Sequence, residues 1–374
     1  MSDLLKDRYS RAFVERLAEA MAVVQPKFDA LAYTKAVLGE GWSGLELKQR
    51  MRRLSATLHR FLPGPYAEQL VVLEKVAPHF GGFEAMLFPD FVEQFGLEDF
   101  DASMRALEWF TQFSSSEFAV RPFIVRYGAR MMKVMRRWAA HKNEHVRRLA
   151  SEGCRPRLPW ARALPAFKAD PSPVLPILEM LQADSSEYVR RSVANNLNDI
   201  AKDHPEVLLE VARCWRGKAK ATDALVKHAC RTLLKRGDPR ALALFGYHQN
   251  VPAEIHGLEL SSLKLHIGDD LHFQFEVRHR DSGPLALRLE YAVDFVKASG
   301  RTTRKVFQIT EAVFAPALSR RFARKHRFCD FTTRQHHPGE HRLSIMINGV
   351  ACAHATLALE KKSPTGATAA KQRR

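Results

Sequence analysis

The residues best placed to do chemistry lie between His141 and Trp160, in the stretch HKNEHVRRLASEGCRPRLPW. Val146, Leu149, Ala150 and Gly153 recur at helical spacing and predict a core-facing stripe on a helix running from Asn143 to about Gly153. His145, Arg148 and Glu152 then share one flank of it. Arg155-Pro156-Arg157-Leu158-Pro159-Trp160 cannot continue the helix, because each proline lacks a donor and biases its predecessor to extended geometry. A carboxylate, several guanidinium groups and an indole therefore converge near one helix end. The bland alternative is that Glu152 pairs with Arg148 on a solvated face and Trp160 caps the core.

The elements that must position this set form a repeat. From about Leu97, each unit has a first helix, a polar turn and a second helix opened by Val-Arg or Val-Lys: Val120-Arg121, Val146-Arg147, Val189-Arg190 and Val226-Lys227. Successive valines are 26, 43 and 37 residues apart, so the unit after Val146 carries an insertion, and it contains Arg155 to Trp160. Stacked helix pairs of this kind make a HEAT-like solenoid, in which insertions form loops on one face, often the binding face. On the flank holding His145, Arg148 and Glu152, the next unit carries Tyr188, Arg191 and Asn195. The arginine recurs and the acid does not. Recurrent arginine suits a phosphate-tracking surface, where a lone acid is unfavourable unless it takes part in the chemistry. One unit earlier, Ser114 and Glu117 have capping-box spacing; the functional alternative is that Glu117 faces the same cleft as Glu152.

The flanking regions fit two domains. With 374 residues the chain exceeds what one core usually serves. Upstream, amphipathic helices are predicted for Asp3 to Ala22, Phe28 to Leu38, Gly44 to Leu62, Tyr66 to Val76 and a short piece from Phe91. Residues 1–250 are thus read as a helical-repeat domain. From 257 to 360, short runs alternate apolar and polar residues, with Asn348-Gly349 as a hairpin signal, and predict an antiparallel immunoglobulin-like β-sandwich. The predicted runs include Leu258 to Leu265 and His326 to Phe331, and Arg301, Arg304, Lys305, Arg320, Arg321, Arg324, Lys325 and Arg327 give this domain a basic loop region. Residues 361–374 read as a disordered basic tail.

The charge of +17 favours an anionic partner, either nucleic acid or a membrane surface, but no segment is apolar enough to span a bilayer. The charged start resembles neither a secretory signal nor a transit peptide. The five scattered cysteines lack a CxxC pair and point to a reducing cytoplasm. His141 and His145 have metal-ligand spacing without a completing ligand, so no metal is expected. The phosphate loops and nucleophile turns of ATPases, dinucleotide enzymes and elbow hydrolases are absent from the sequence.

The stretches SSSEFAVRPF and NEHVRRLASEGCRPRLPWA, the helical repeats, and the β region with LEYAVDFVKASGRTTRKVFQI occur here in a familiar order. Across nearly its whole length the chain resembles the AlkC branch of the AlkC/AlkD family of bacterial DNA alkylation-repair glycosylases. The resemblance implies a HEAT-like DNA-binding solenoid, an immunoglobulin-like domain contacting the duplex, and excision of bases such as 3-methyladenine and 3-methylcytosine without full extrusion of the base. It implies Glu117 and Glu152 as active-site carboxylates and Trp160 as the aromatic lining the lesion. The related AlkD proteins use an Asp between tryptophans where this chain has Glu. A base methylated on a ring nitrogen leaves as a neutral species, so what remains is to stabilise the oxocarbenium-like sugar and place water. A carboxylate ~4 Å from that cation contributes roughly 4 kcal/mol at an effective dielectric of ~20, about a thousandfold in rate if expressed wholly in the transition state. Trp160 adds about 1 to 2 kcal/mol of cation–π and stacking stabilisation.

Arg121, Arg148, Arg155, Arg157, Arg190 and Arg191 are the candidates for phosphate contacts. The expected molecule is a cofactor-free, monomeric, monofunctional glycosylase, since neither motif contains a lysine for Schiff-base chemistry. The competing readings are a non-enzymatic repeat scaffold that binds nucleic acid or protein, and an RNA-directed repeat protein.

Overall fold

The computed structural model describes residues 4–280, 282–330 and 335–361. It divides into two compact units, residues 1–229 and 230–374. The tail expected to be disordered lies, from residue 362, outside the described residues.

The first unit opens with α1 (Arg11–Val24), α2 (Ala30–Val37), α3 (Leu47–Phe61), α4 (Tyr66–Val76), α5 (Leu87–Phe95) and α6 (Phe100–Phe110). Four of these starts, those of α1, α2, α3 and α6, follow side-chain caps. Ser10 accepts from the Phe13 amide, Asp29 from Ala32, Asp99 from Ala102, and Glu46 with Gln49 forms a capping box on α3. The Ser10 cap corrects the long first helix expected from Asp3: a short 3-10 turn, Leu5–Arg8, precedes it. The piece expected from Phe91 begins earlier, at Leu87.

The repeat follows as α7 (Val120–Tyr127), α8 (Ala129–Ala139), α9 (Glu144–Glu152), α10 (Pro165–Ala169), α11 (Leu175–Leu181), α12 (Glu187–Ile200), α13 (Pro205–Trp215) and α14 (Lys220–Ala229). α12 packs between α9 and α14, and α8 lies against α9. Val146, Leu149 and Ala150 of α9 and Val189, Val193, Ala194 and Leu197 of α12 are fully buried, as the stripe predicts. Truncating Leu149 or Leu197 to alanine costs about 2–5 kcal/mol.

Gly153 ends α9 without the left-handed conformation usual for a closing glycine: its φ is −63°, ordinary right-handed backbone. Its glycine serves close packing instead. A Cβ there would sit 2.6 Å from Val120 Cγ2 and 3.2 Å from Met135 Cε, so only glycine lets α7 and α8 close on the end of α9.

The second unit contains α15 (Arg231–Arg236), α16 (Pro239–Leu244), β1 (Ala253–Leu260), β2 (Lys264–His266), β3 (Asp270–His279), β4 (Leu285–Val296), β5 (Thr302–Phe314), β6 (Ser319–Arg327), β7 (Gly339–Ile347) and β8 (Val350–Glu360). One sheet has the order β1-β3-β6 and the other β2-β8-β7-β4-β5, with β2 alone parallel to its neighbour β8. Phe273, Phe275, Leu289, Val293, Phe322 and Ile345 from both sheets fill the core of this immunoglobulin-like sandwich.

The Asn348-Gly349 turn has φ of 45° and 80°, the paired left-handed residues of a tight hairpin. It also fixes where the unit begins. A Cβ on Gly237, the residue closing α15, would sit 2.9 Å from the Gly349 carbonyl oxygen, so α15 and α16 rest on this hairpin instead of extending the repeat to residue 250. Two strand expectations also shift. The run Leu258 to Leu265 breaks at Ser261-Ser262-Leu263 into β1 and β2; the strand expected from His326 is β6, ending at Arg327, while Phe331 lies outside the described residues; and the basic residues expected in a loop, Arg301 apart, stand on β5 and β6.

Candidate active site

The local sequence of α9 sets the geometry. Asn143 caps it by accepting from the His145 amide at 2.8 Å, and the buried stripe turns His145, Arg148 and Glu152 towards the adjacent repeats. Glu152 is only 4% exposed. Its Oε1 accepts from Arg155 Nη1 at 2.6 Å and its Oε2 from Ser192 Oγ at 2.7 Å, while Arg148 Nη2 lies 3.5 Å away. Arg148 Nη1 is ion-paired with Glu117 and donates to Ser115 Oγ at 2.9 Å. Arg155 also donates from Nε to Asp199 Oδ2 at 2.8 Å, and Lys202 donates to Asp199 Oδ1 at 2.8 Å.

The two motif acids are thus joined by one guanidinium, in a row where acid and base alternate: Glu117, Arg148, Glu152, Arg155, Asp199, Lys202. Burial alone pulls the Arg148 pKa down, but Glu117 and Glu152 outweigh it and leave it above the ordinary arginine range. The Arg148 guanidinium also lies 5.0 Å from the ring of Tyr188, whose other neighbour is the His145 ring.

Glu117 does not form the expected capping box. α7 starts three residues later, Ser114 Oγ donates to the Gly82 carbonyl, Ser116 Oγ to the Leu107 carbonyl, and Ser115 Oγ to Glu117 itself. With the three serines so engaged, the Glu117 carboxylate is free to meet Arg148.

Trp160 does not cap the core either. It is 66% exposed, with a left-handed φ of 61°, a conformation that is uncommon and mildly strained for a bulky residue. The insertion below it is well packed: Leu158 and Leu164 are buried, and the Leu164 amide donates to the Pro156 carbonyl at 3.1 Å. Lys48 of α3 donates to the Trp160 carbonyl, and its ammonium sits 4.0 Å from the Phe118 ring centroid. Burial lowers the Lys48 pKa, against the opposing pull of Glu93 and Asp90. Sequence reading missed Lys48, which lies in the N-terminal helices far from either motif, as well as Ser192 and Asp199. Ser192 and Asp199 were detectable only as polar residues that fall, with Asn196, on one face of α12.

Several arginines expected on phosphates are placed otherwise. Arg121 is 2% exposed, donating to the carbonyls of Arg162 (2.6 Å), Gly153 (3.0 Å) and Arg155 (2.9 Å), with burial lowering its pKa to about 10. Arg190 donates to the carbonyls of Asp184 and Ser185, just as Arg147 does to those of His141 and Lys142. The arginine after each repeat valine is therefore a staple on backbone carbonyls. Arg155 is buried between Glu152 and Asp199.

Arg157 is half-buried and ion-paired with Asp203, and Arg191 is exposed with only an i,i+4 partner, Glu187 at 2.8 Å. Among the described residues, no group of three or more His, Cys, Asp or Glu side chains is arranged to hold a metal ion. No helix described is long and apolar enough to cross a membrane.

Chemically, the site offers two carboxylates held by shared guanidinium groups beside the insertion that carries an exposed indole, with no serine or cysteine nucleophile paired to a histidine base in the cluster. Carboxylates can stabilise positive charge, and an indole face can stack on flat, electron-poor groups.

Comparison with known proteins places the whole chain in a family. Residues 95–232 match the family described as "DNA alkylation repair enzyme", and residues 254–361 match the C-terminal Ig-like domain of the uncharacterised protein YhaZ. The chain is 48% identical to the uncharacterized protein YhaZ of Bacillus subtilis over 93% of its own length and 97% of that protein. Among solved structures it superposes on the Pseudomonas fluorescens alkylpurine DNA glycosylase AlkC bound to DNA containing an abasic site analog, with a TM-score of 0.93 and 38% identity. That match covers 96% of this chain and all of that one. The chain belongs to the AlkC branch of the AlkC/AlkD family of DNA alkylation-repair proteins.

Proposed function

We propose that the protein is a monofunctional, metal-independent DNA glycosylase that hydrolyses the N-glycosidic bond of cationic bases, 3-methyladenine and 3-methylcytosine, in duplex DNA. It acts as a monomer in the cytoplasm, at the nucleoid. The observation that carries the reading is that Glu117 and Glu152, from different repeat units, share Arg148 beside an insertion that displays Trp160.

The alkylated base already carries the positive charge that an acid would otherwise supply, so the difficult event is development of charge on the sugar. Glu117 and Glu152 stabilise that charge and orient the attacking water, while Trp160 stacks on the lesion or on the cationic sugar. Arg148 and Arg155 partly neutralise the carboxylates, so the unscreened figure of about 4 kcal/mol is a ceiling. A phosphate drawn towards Arg148 would loosen its hold on Glu117 and Glu152 and raise their field at the sugar. Arg157 and Arg191 are the arginines of the set best exposed to reach phosphates. Monofunctional action is supported by the engagement of Lys48 with the Trp160 carbonyl and the Phe118 ring, and by the lack of lysine in either motif.

The test is release of free base from duplex DNA carrying 3-methyladenine, 7-methylguanine or 3-methylcytosine, followed by alkaline cleavage to score abasic sites. Free base with intact strands is expected. Tight binding without release of any of the three bases would establish the scaffold reading, and strand breakage without alkali would show lyase action.

A further inference from the structure

The first unit holds a second concavity that the active site does not use. α7, α8 and the segment entering α10 enclose a groove of about 620 Å³, within the usual size range of ligand sites. Its floor is apolar, formed by residues such as Met132, Leu164 and Phe167, and Val125 at its edge is 55% exposed. Three cations line it, Lys133, Arg136 and Arg162, all exposed, and none of its lining residues is an Asp or Glu.

The asymmetry of α8 makes the charge informative. On the side towards α6, Arg130 pairs with Asp101 at 2.9 Å and Arg137 with Glu108 at 3.6 Å. On the groove side, Lys133 and Arg136 have no such acids among the lining residues. The groove also lies on a different side of α8 from Met131, Met135 and Trp138, the buried residues that include the contact with the end of α9. The carboxylate cluster and the groove are thus served by separate faces of the same helix.

An anionic occupant with a bulky apolar anchor fits both halves of this surface. Nucleic acid fits it less well: duplex phosphates would leave the apolar floor unfilled, and single strands stack on exposed rings, whereas Phe167 is buried. We infer that this groove is a docking site for an acidic peptide segment of a partner protein, anchored by one or two large apolar side chains. Its Arg162 edge belongs to the insertion that carries Trp160, and the Arg162 carbonyl is held by Arg121. A docked partner therefore grips the same insertion that presents Trp160.

The experiment is fluorescence anisotropy on the full chain with a labelled ten-residue peptide of Asp and Glu containing two Phe. Matched peptides have Phe replaced by Ser, or the acids replaced by Lys. Binding of the first peptide alone is expected. The double variant Lys133→Glu/Arg136→Glu, and separately Arg162→Glu, should each weaken it at least tenfold while leaving duplex DNA affinity and thermal stability within error of the parent. Absence of binding by the acidic Phe peptide, equal binding of the Ser peptide, or indifference to all three charge reversals would each overturn the inference. So would an equal loss of DNA affinity in the reversed variants, which would make the groove a phosphate contact.

Discussion

Lys48 donates its hydrogen bond to the carbonyl of Trp160, 112 residues away in sequence, while its ammonium faces the Phe118 ring. The helix α3 thereby ties together the two stretches that carry Glu117 and Trp160. The bond also offsets part of the strain of the left-handed Trp160 backbone. Lys48→Met should release that tether and lower single-turnover base release roughly tenfold, about 1.4 kcal/mol, with DNA affinity nearly unchanged. Trp160→Ala should lose roughly 5- to 30-fold, matching about 1 to 2 kcal/mol of stacking and cation–π stabilisation. Lys48→Met activity equal to the parent's would mean the insertion holds Trp160 unaided.

Glu152→Gln keeps the side chain's shape and its bond from Ser192, yet removes the charge between Arg148 and Arg155. The positive field left behind opposes formation of a cationic sugar, so release should fall about a thousandfold while abasic-site DNA still binds. Single-turnover rates on 3-methyladenine DNA with parallel binding curves decide it. An unchanged rate would remove Glu152 from the chemistry and leave it a buried structural acid.

Arg148 holds two acids from different repeats, with side-chain exposures of 15% and 6% for Glu117 and Glu152. Removing one partner of a buried ion pair costs about 3–5 kcal/mol, chiefly because the remaining charge stays buried. Arg148→Met should therefore lower the melting temperature markedly, and the further change Glu117→Gln should restore part of the loss. A double variant no more stable than Arg148→Met would show that the pair does not couple the repeats.

Arg121 and Arg191 are both candidates for phosphate contacts by sequence, and their surroundings predict opposite phenotypes. Arg121 is enclosed by carbonyl acceptors, so Arg121→Met should destabilise the fold while leaving the slope of DNA affinity against salt unaltered. Arg191 is exposed, so Arg191→Ala should leave stability intact and reduce that slope by about one counterion. Salt titrations of DNA binding together with thermal melts separate the two effects; a reduced slope for Arg121→Met would contradict its burial.

In the second unit, burial holds the His341 pKa below its ordinary 6.5, with His336 adding to the effect and the bond to the His337 carbonyl opposing it. Unfolding exposes an imidazole that takes up a proton more readily. The stabilisation is therefore complete above about pH 6.5 and is lost as pH falls towards the folded value. Melting followed from about pH 7.5 down to about pH 5.5 should show the sandwich weakening, and His341→Leu should flatten that dependence. Equal slopes for parent and variant would assign the effect to other groups.

Local patterns were legible where one element's periodicity governs the outcome. The stripe on α9, the helix stop at the prolines after Arg155, the Asn348-Gly349 hairpin and the repeat of valine-led helices all follow from spacing that a single helix or strand imposes on its own side chains. Backbone partners were not legible. Arg121 and Arg190, each next to a repeat valine, read as phosphate ligands because their charge is visible in sequence, whereas the carbonyls around Arg121 come beside it only when residues 153–162 fold back onto α7, and those of Arg190 depend on the turn just before α12. The same holds for Ser114, whose spacing to Glu117 suits a capping box but whose hydroxyl meets the Gly82 carbonyl instead.

The sequence by itself determined a helical repeat followed by a β-sandwich, the order of the motifs, and the acids and indole available for chemistry, because periodicity and composition act within each segment. Only the tertiary structure decided that Glu117 and Glu152 share Arg148, that Trp160 faces outward under the hold of Lys48, and that α15 and α16 join the sandwich. Those outcomes depend on contacts between residues far apart in the chain, where burial and charge are set by neighbours that no local spacing encodes.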